Sequence, residues 1–389
     1  MMLTILTVLF WLALAVVFYT YVGYAAIVGL WAKLRPRAPL PEQPFEPEVT
    51  LVVPAYNEAD ILAEKVRNCL ALDYPAGKLR LLFITDGSND HSGEVLAAFP
   101  GVQHLHQPER AGKSMAENRA IRYVSTPYVI FTDCNTLLNP EAVRELVRHY
   151  QDPAVGAVSG EKRVLRDGSA PGAGEGLYWK YESFLKRCDS DIYSLMGAAG
   201  ELVSFRTDLF KPLEADTVLD DFVQSMRIVD AGYRVVYEPR AYAMEPPSFS
   251  LKEEMKRKVR ICAGGWQAMS RLLPLLNPLR QPTVAFLYLS HRVLRWTLTP
   301  ALLLLLLPLN AALALAYGGI YTLLLVLQAL FYGAAALGWW RASRGQAAGP
   351  LLVPLYFTMM NVAVFQGAQR FWRNAQPAAW DKAQRAPAA

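Results

Sequence analysis

Between residues 3 and 32 polar positions almost vanish, and the run is long enough to span a bilayer, for which about 20 apolar residues suffice. It lacks an early basic region and a small-residue cleavage site, so it reads as an anchor rather than a signal peptide. Lys33, Arg35 and Arg37 follow at once; because positive charge stays on the inner side, the amino terminus is expected outside and the next domain in the cytoplasm. Five prolines between 36 and 47 then predict a stiff extended linker that cannot continue the helix.

From residue 49 short apolar strands alternate with segments of helical period. A strand at 49–54 precedes Ile61, Leu62, Val66, Cys69 and Leu70 at helical spacing. A second strand at 79–85 ends in a turn, with a helix from Ser92, and a weak strand at 102–106 leads to a helix ending near Val124. The strand opening at Tyr128 is apolar until it meets Asp133, and a helix to Tyr150 and a strand at 155–159 follow. This alternation predicts an α/β domain with a largely parallel, doubly wound sheet. The regularity then fades. A helix at 177–187 carries Tyr178, Trp179, Tyr181 and Phe184, which are expected in the core; a strand ends near Phe205, a helix opens at Asp220, and a strand lies at 233–237.

Further on, Met255, Val259, Cys262, Trp266, Met269 and Leu273 recur in steps of four and three, with Lys256, Arg257, Lys258 and Arg260 crowded into the first half. That pattern predicts a basic amphipathic helix at a membrane surface. Residues 283–296, broken by His291, Arg292 and Arg295, read as a second interfacial segment, and 296–316, 317–340 and 350–367 as three spans. The expected division is an anchor (1–32), a Pro-rich linker (33–48), a cytoplasmic catalytic domain (49–248), amphipathic interfacial helices (249–295), a carboxyl-terminal transmembrane region (296–370) and a polar tail (371–389).

Composition agrees with this division. The 389 residues are 53% hydrophobic and 19% charged, and the net charge of +5 comes without a dense basic run interleaved with aromatics. Nucleic acid is therefore not an expected partner, and a lipid bilayer is. Four scattered cysteines without metal-ligand spacing suit a reducing compartment.

Candidate chemistry collects at strand ends, where open α/β sheets bind ligands. Asp133 and Asn135 offer two hard oxygen donors, which suits a divalent cation shared with phosphate oxygens. With the stretches 53–58 (Val-Pro-Ala-Tyr-Asn-Glu), 86–90 (Asp-Gly-Ser-Asn-Asp), Gly112 with Lys113, and Asp220, Asp221 and Phe222, they form an ordered set. That set resembles family 2 glycosyltransferases, in the membrane branch that includes hyaluronan, cellulose and poly-N-acetylglucosamine synthases. The resemblance extends to the arginine-rich helix and to the stretch 290–296.

The resemblance implies a nucleotide-sugar-binding GT-A-type sheet with one amino-terminal and about three carboxyl-terminal transmembrane helices plus amphipathic interfacial helices. It implies that Pro54, Tyr56, Glu58 and Asp86 help to hold uracil and ribose, that Asp90 supports its turn, and that Lys113 lies close to the nucleotide. Asp133 and Asn135 would meet Mg2+ or Mn2+ on the diphosphate, with an amide where the family usually has aspartate, and Asp133 and Asp220 would help bind substrate. Asp221 matches the general base and Arg260 the cation opposite the leaving diphosphate. The family's glutamine and tryptophan around that arginine are absent, since the stretch reads Arg257, Lys258, Val259, Arg260, Ile261, and Trp266 is the candidate to replace the tryptophan.

The expected activity is inverting transfer of a hexosyl or N-acetylhexosaminyl group from a nucleotide-sugar, with UDP favoured, to a saccharide or lipid-linked acceptor at the plasma membrane, in polysaccharide or glycolipid synthesis. Two alternatives stay open: a single-sugar transferase acting on a lipid acceptor, and an inactive membrane-tethered receptor for saccharides or nucleotide-sugars.

Overall fold

The computed structural model describes residues 1–35, 43–165 and 170–377, with the backbone alone described for 170–175 and 177. Residues 36–42 of the expected linker and the last part of the expected tail (378–389) lie outside the described residues.

Eight strands form one sheet: β1 (Val49–Ala55), β2 (Leu79–Asp86), β3 (Gln103–Gln107), β4 (Tyr128–Thr132), β5 (Leu137–Leu138), β6 (Val155–Val164), β7 (Leu202–Arg206) and β8 (Arg234–Glu245). Their order is β3-β2-β1-β4-β7-β6-β8-β5. The first four are parallel, with Val49 opposite both Leu79 and Tyr128. Central strands such as β4 are buried on both faces, as their continuous apolar runs require.

The expectation of a largely parallel sheet needs correction at β7, which runs antiparallel between β4 and β6. Its direction has a consequence for the site. Leu202, the first residue of β7, pairs with Thr132, the last of β4, so the residues just before β7 arrive beside Asp133. The Thr132 hydroxyl donates to the Glu201 carbonyl at 2.9 Å and fastens the two ends. Neighbours β2 and β4 flank β1 on opposite sides, so chain order reverses at β1, and a crevice opens beyond the carboxyl ends of these strands.

Among the described residues, four helices are long and apolar enough to cross a membrane: Met2–Leu34, Leu298–Tyr317, Ile320–Ser343 and Gly349–Trp372. Phe10 and Ala13 of the first pack on Leu306, Leu309 and Leu313 of the second. The helix Leu251–Arg271, capped by the Ser250 side chain, lies against the last of the four; Val259 and Cys262 meet Ala363 and Val364, and a Cβ on Gly367 would come within 2.5 Å of the Cys262 Cβ. The predicted stripe is therefore divided: its centre packs on a helix, Met269 joins the main core, and Leu273 is exposed.

Much of the charge expected at a surface in two segments turns inward instead, while Lys256 stays exposed. Arg257 reaches Glu245 at 3.3 Å and Glu254 at 3.7 Å, and Lys258 reaches Glu254 at 3.4 Å. His291, Arg292 and Arg295, read as interrupting an interfacial segment, turn inward onto Glu182, with Arg292 closest at 2.6 Å, and His291 also bonds Asp189. Carboxylates on the helix Ala170–Ile192 supply the countercharge that makes this burial tolerable. All four cysteines are free and buried.

Candidate active site

The crevice is a cavity of about 1000 Å³, and Pro54, Tyr56, Glu58, Asp86, Lys113, Asp133, Asn135, Asp220, Asp221 and Arg260 all line it. Residues scattered over two hundred positions are thus brought to one place. Each arrives on a defined support. The loops after β1 and β2 clasp one another: Asn57, at φ 52°, donates its amide to Asn89 and accepts from the Asn89 N–H, and the Asp90 carboxylate accepts from the backbone of Ala59 and Ser92. Asp90 therefore supports the turn as expected. Arg110 lies 3.8 Å above the Tyr56 ring at this end of the cavity.

Asp86 spends one oxygen on architecture. Its Oδ2 accepts from the backbone N–H groups of Ala111 and Gly112, at 3.0 and 2.7 Å, which draws Lys113 into place at the start of its helix. Gly112 sits at φ 95°, a conformation that favours glycine. Oδ1 has Arg119 at 3.5 Å and no hydrogen bond.

Lys113 stands at the centre of an acidic cluster. Its ammonium is 2.7 Å from Asp133, 3.4 Å from Asp220 and 3.9 Å from Glu117. Burial disfavours its charge, yet Asp133, Asp220, Glu117 and Asp221 outweigh that cost and hold its pKa well above the usual lysine range. Asp221 responds in the opposite direction. Burial first, and then the neighbouring charge of Asp220, push its carboxyl up to about 7, against the pull of Lys113. Gly200 leaves room for this group, since a Cβ there would lie 3.1 Å from an Asp221 oxygen and 3.3 Å from the Lys113 ammonium.

Arg260 sits one step around its helix from Val259 and lines the cavity, whereas Val259 packs on the apolar helix. Burial, with Arg257 beside it, brings its pKa down to about 10, while Asp220, Asp133 and Asp221 draw it back up. Behind β4, Lys65 is buried and donates to the Thr132 hydroxyl and to the carbonyl and hydroxyl of Thr136, which braces the turn holding Asp133 and Asn135.

Among the described residues no group of three or more His, Cys, Asp or Glu is arranged to hold a metal. Asp133 and Asn135 still fit a hard cation, because Mg2+ and Mn2+ take one or two protein oxygens and complete their shell with phosphate and water. Asn135 lines the cavity with a side chain that makes no hydrogen bond among the described residues, and Lys113 shows that the Asp133 carboxylate attracts a cation there.

Residues 50–211 match the family described as Glycosyl transferase family 2. Over those residues the chain is similar to family 2 glycosyltransferases. Poly-beta-1,6-N-acetyl-D-glucosamine synthase of Staphylococcus aureus is 28% identical over 235 residues, covering 57% of this chain and 56% of that one. The Staphylococcus epidermidis protein of the same name is 24% identical over 231 residues, with the same coverage. The chain thus spans little more than half the length of these relatives in the match. A solved structure described as mannosyltransferase PcManGT from Pyrobaculum calidifontis in complex with GDP-Man and Mn2+ superposes with a TM-score of 0.74 at 22% identity, over 95% of this chain and 99% of that chain. The chain therefore has the GT-A fold.

Several residues of the cavity escaped sequence reasoning. Tyr178 and Trp179, assigned to the core by their spacing, line the cavity, as do Glu201, Lys186 and Arg292. Trp266 does not replace the missing tryptophan, for it stacks on Phe371 and tilts against Trp372. Trp296 lines the cavity instead, 5.4 Å between ring centroids from Phe222 and seated on Gly265. No spacing signal linked Trp296 to Arg260, because 36 residues and a change of helix separate them.

Proposed function

We propose that this enzyme is an inverting glycosyltransferase that moves a hexosyl or N-acetylhexosaminyl group from a nucleotide-sugar, UDP-linked by preference, to a saccharide or lipid-linked acceptor at a membrane. The observation that carries this reading is Asp221. It is a buried carboxyl poised near neutrality in the same cavity as Arg260 and the Asp133 and Asn135 pair.

In this mechanism Asp221 takes the proton of an acceptor hydroxyl while that oxygen attacks the anomeric carbon from the face opposite the departing phosphate oxygen. Configuration at the carbon inverts. Arg260 faces the diphosphate as its charge grows and grips it with two N–H groups. Asp133 and Asn135 would hold Mg2+ or Mn2+, whose positive charge would neutralise the leaving diphosphate. Lys113 then exchanges its hold on Asp133 for the phosphates and keeps Asp220 in place. Tyr56, Glu58 and Asp86 line the nucleoside end, with Pro54 shaping the loop. Trp296 is the wall against which the acceptor sugar stacks.

The relatives named as poly-N-acetyl-D-glucosamine synthases favour saccharide synthesis, while the structural neighbour holds GDP-Man. The four apolar helices support a membrane location, and the basic residues after the first support a cytoplasmic catalytic domain in the plasma membrane. The domain limits given above go with this reading. Purified enzyme incubated with UDP- and GDP-sugars and a divalent cation should release nucleotide from one donor and form a glycoside of inverted configuration. A retained configuration, or no turnover with any donor and acceptor, would overturn the reading.

A further inference from the structure

Several buried cations that line the cavity or lie beside it have a carboxylate within ion-pair distance. Lys162 meets Glu201 and Glu245, Arg257 meets Glu245 and Glu254, Lys258 meets Glu254, and Arg292 meets Glu182. Lys186 meets none. It is 3% exposed, lines the cavity, and makes no hydrogen bond or ion pair among the described residues; its ammonium lies 4.8 Å from the centre of the Trp179 ring. A buried ammonium resting on one aromatic face is costly, and such a charge normally neutralises or finds a partner.

The surroundings indicate what that partner is. Lys162 covers the same indole at 5.2 Å and Lys258 covers Tyr178 at 4.2 Å, so the aromatic residues here meet cations. Met360, which lies in the last of the four apolar helices, lines the cavity and joins Tyr178 against Leu251, Leu355 and Met359. This end of the cavity therefore combines a buried ammonium that has no ion pair among the described residues, and feels Glu182, Glu161 and Glu201 only at longer range, with a wall that continues into an apolar helix. Glu201 links it to the reacting centre, because its carboxylate holds Lys162 and its charge reaches Asp221.

We propose that Lys186, which lines the cavity together with Lys258 and Arg257, is an anion subsite that binds a phosphate or carboxylate group of the acceptor. The inference rests on the glycosyl-transfer reading and adds the acceptor's charge to it. The apolar wall favours the phosphate of a lipid-linked acceptor; an acidic sugar offers the same oxygen chemistry.

The full-length protein in nanodiscs, with saturating UDP and Mg2+ to fill the donor site, would be titrated with farnesyl phosphate, farnesol, methyl glucuronide and methyl glucoside. Wild type should bind one anionic probe about tenfold more tightly than its neutral counterpart, and the anion preferred identifies the source. Lys186→Gln and Lys186→Met, the latter keeping the stem on Trp179, should lose that preference, and Lys186→Arg should retain it. No preference in wild type, or an undiminished preference in both neutral variants, overturns the proposal. UDP-sugar binding and slow donor hydrolysis, read in the same samples, separate this failure from failure of the transferase reading: their absence in wild type sinks the latter.

Discussion

Asp221 carries opposing demands, and its environment exposes both. A carboxyl whose pKa rises on folding takes up a proton on folding; its cost to stability is absent below the unfolded value of 3.8 and complete above about 7. Asp221→Asn should therefore raise the melting temperature, and by more at about pH 8.5 than at about pH 5, while transfer falls. Equal melting temperatures at both pH values would contradict the assigned strain. In wild type, kcat/KM should climb with pH through an apparent value near 7 and then level, because the base works only when ionised. For the metal pair, Asp133→Ala and chelation should each lower turnover about 100-fold or more, whereas Asn135→Asp should keep activity and bind Mn2+ more tightly. Full activity in chelator would remove the metal from the account. Asp133 was legible in sequence because it follows an apolar strand, and Asp221 because paired acids open a helix within the ordered motif set. Lys186 was not, since a lysine on an aromatic-rich helix looks the same whether it faces water or a cavity.

At the scale of elements, the helix Leu251–Arg271 joins catalysis to the apolar helices. Its periodicity was readable, and Arg260 lies on the flank that faces the cavity. Its basic half was misread because charge on an amphipathic helix ordinarily means solvent, and the acids that bury Arg257 and Lys258 come from Glu245 as well as from Glu254 on the same helix. Arg257→Ala or Lys258→Ala should thus cost about 2 kcal/mol of stability by removing one of the two cations that neutralise the buried Glu254, a loss visible in thermal melts and too large for a surface contact. Arg260→Ala should instead lower kcat about 100-fold and Arg260→Lys about tenfold, with membrane association intact. Wild-type kcat in both would assign the leaving group to another cation. The parallel strands β1 to β4 were legible from alternation with helices, but β7 was not. Its antiparallel pairing with β4 is a long-range choice that leaves no mark on local periodicity, and it is this choice that brings Gly200 and Glu201 to the site.

For the whole molecule, the apolar helices and the catalytic domain share buried polar joints. Tyr24 of the first helix donates to Asp189 at 2.5 Å, and His291, ahead of the second, bonds the other Asp189 oxygen. Hydropathy made the four helices legible; the joints were not, because each partner is distant in sequence and unremarkable alone. All of these supports converge on one carboxyl. The most direct test compares wild type with Asp221→Asn in nanodiscs, measuring UDP-sugar binding and single-turnover transfer in the same preparation. The account predicts donor affinity within about threefold of wild type and transfer reduced by about 100- to 10,000-fold. Transfer at the wild-type rate in Asp221→Asn would contradict it.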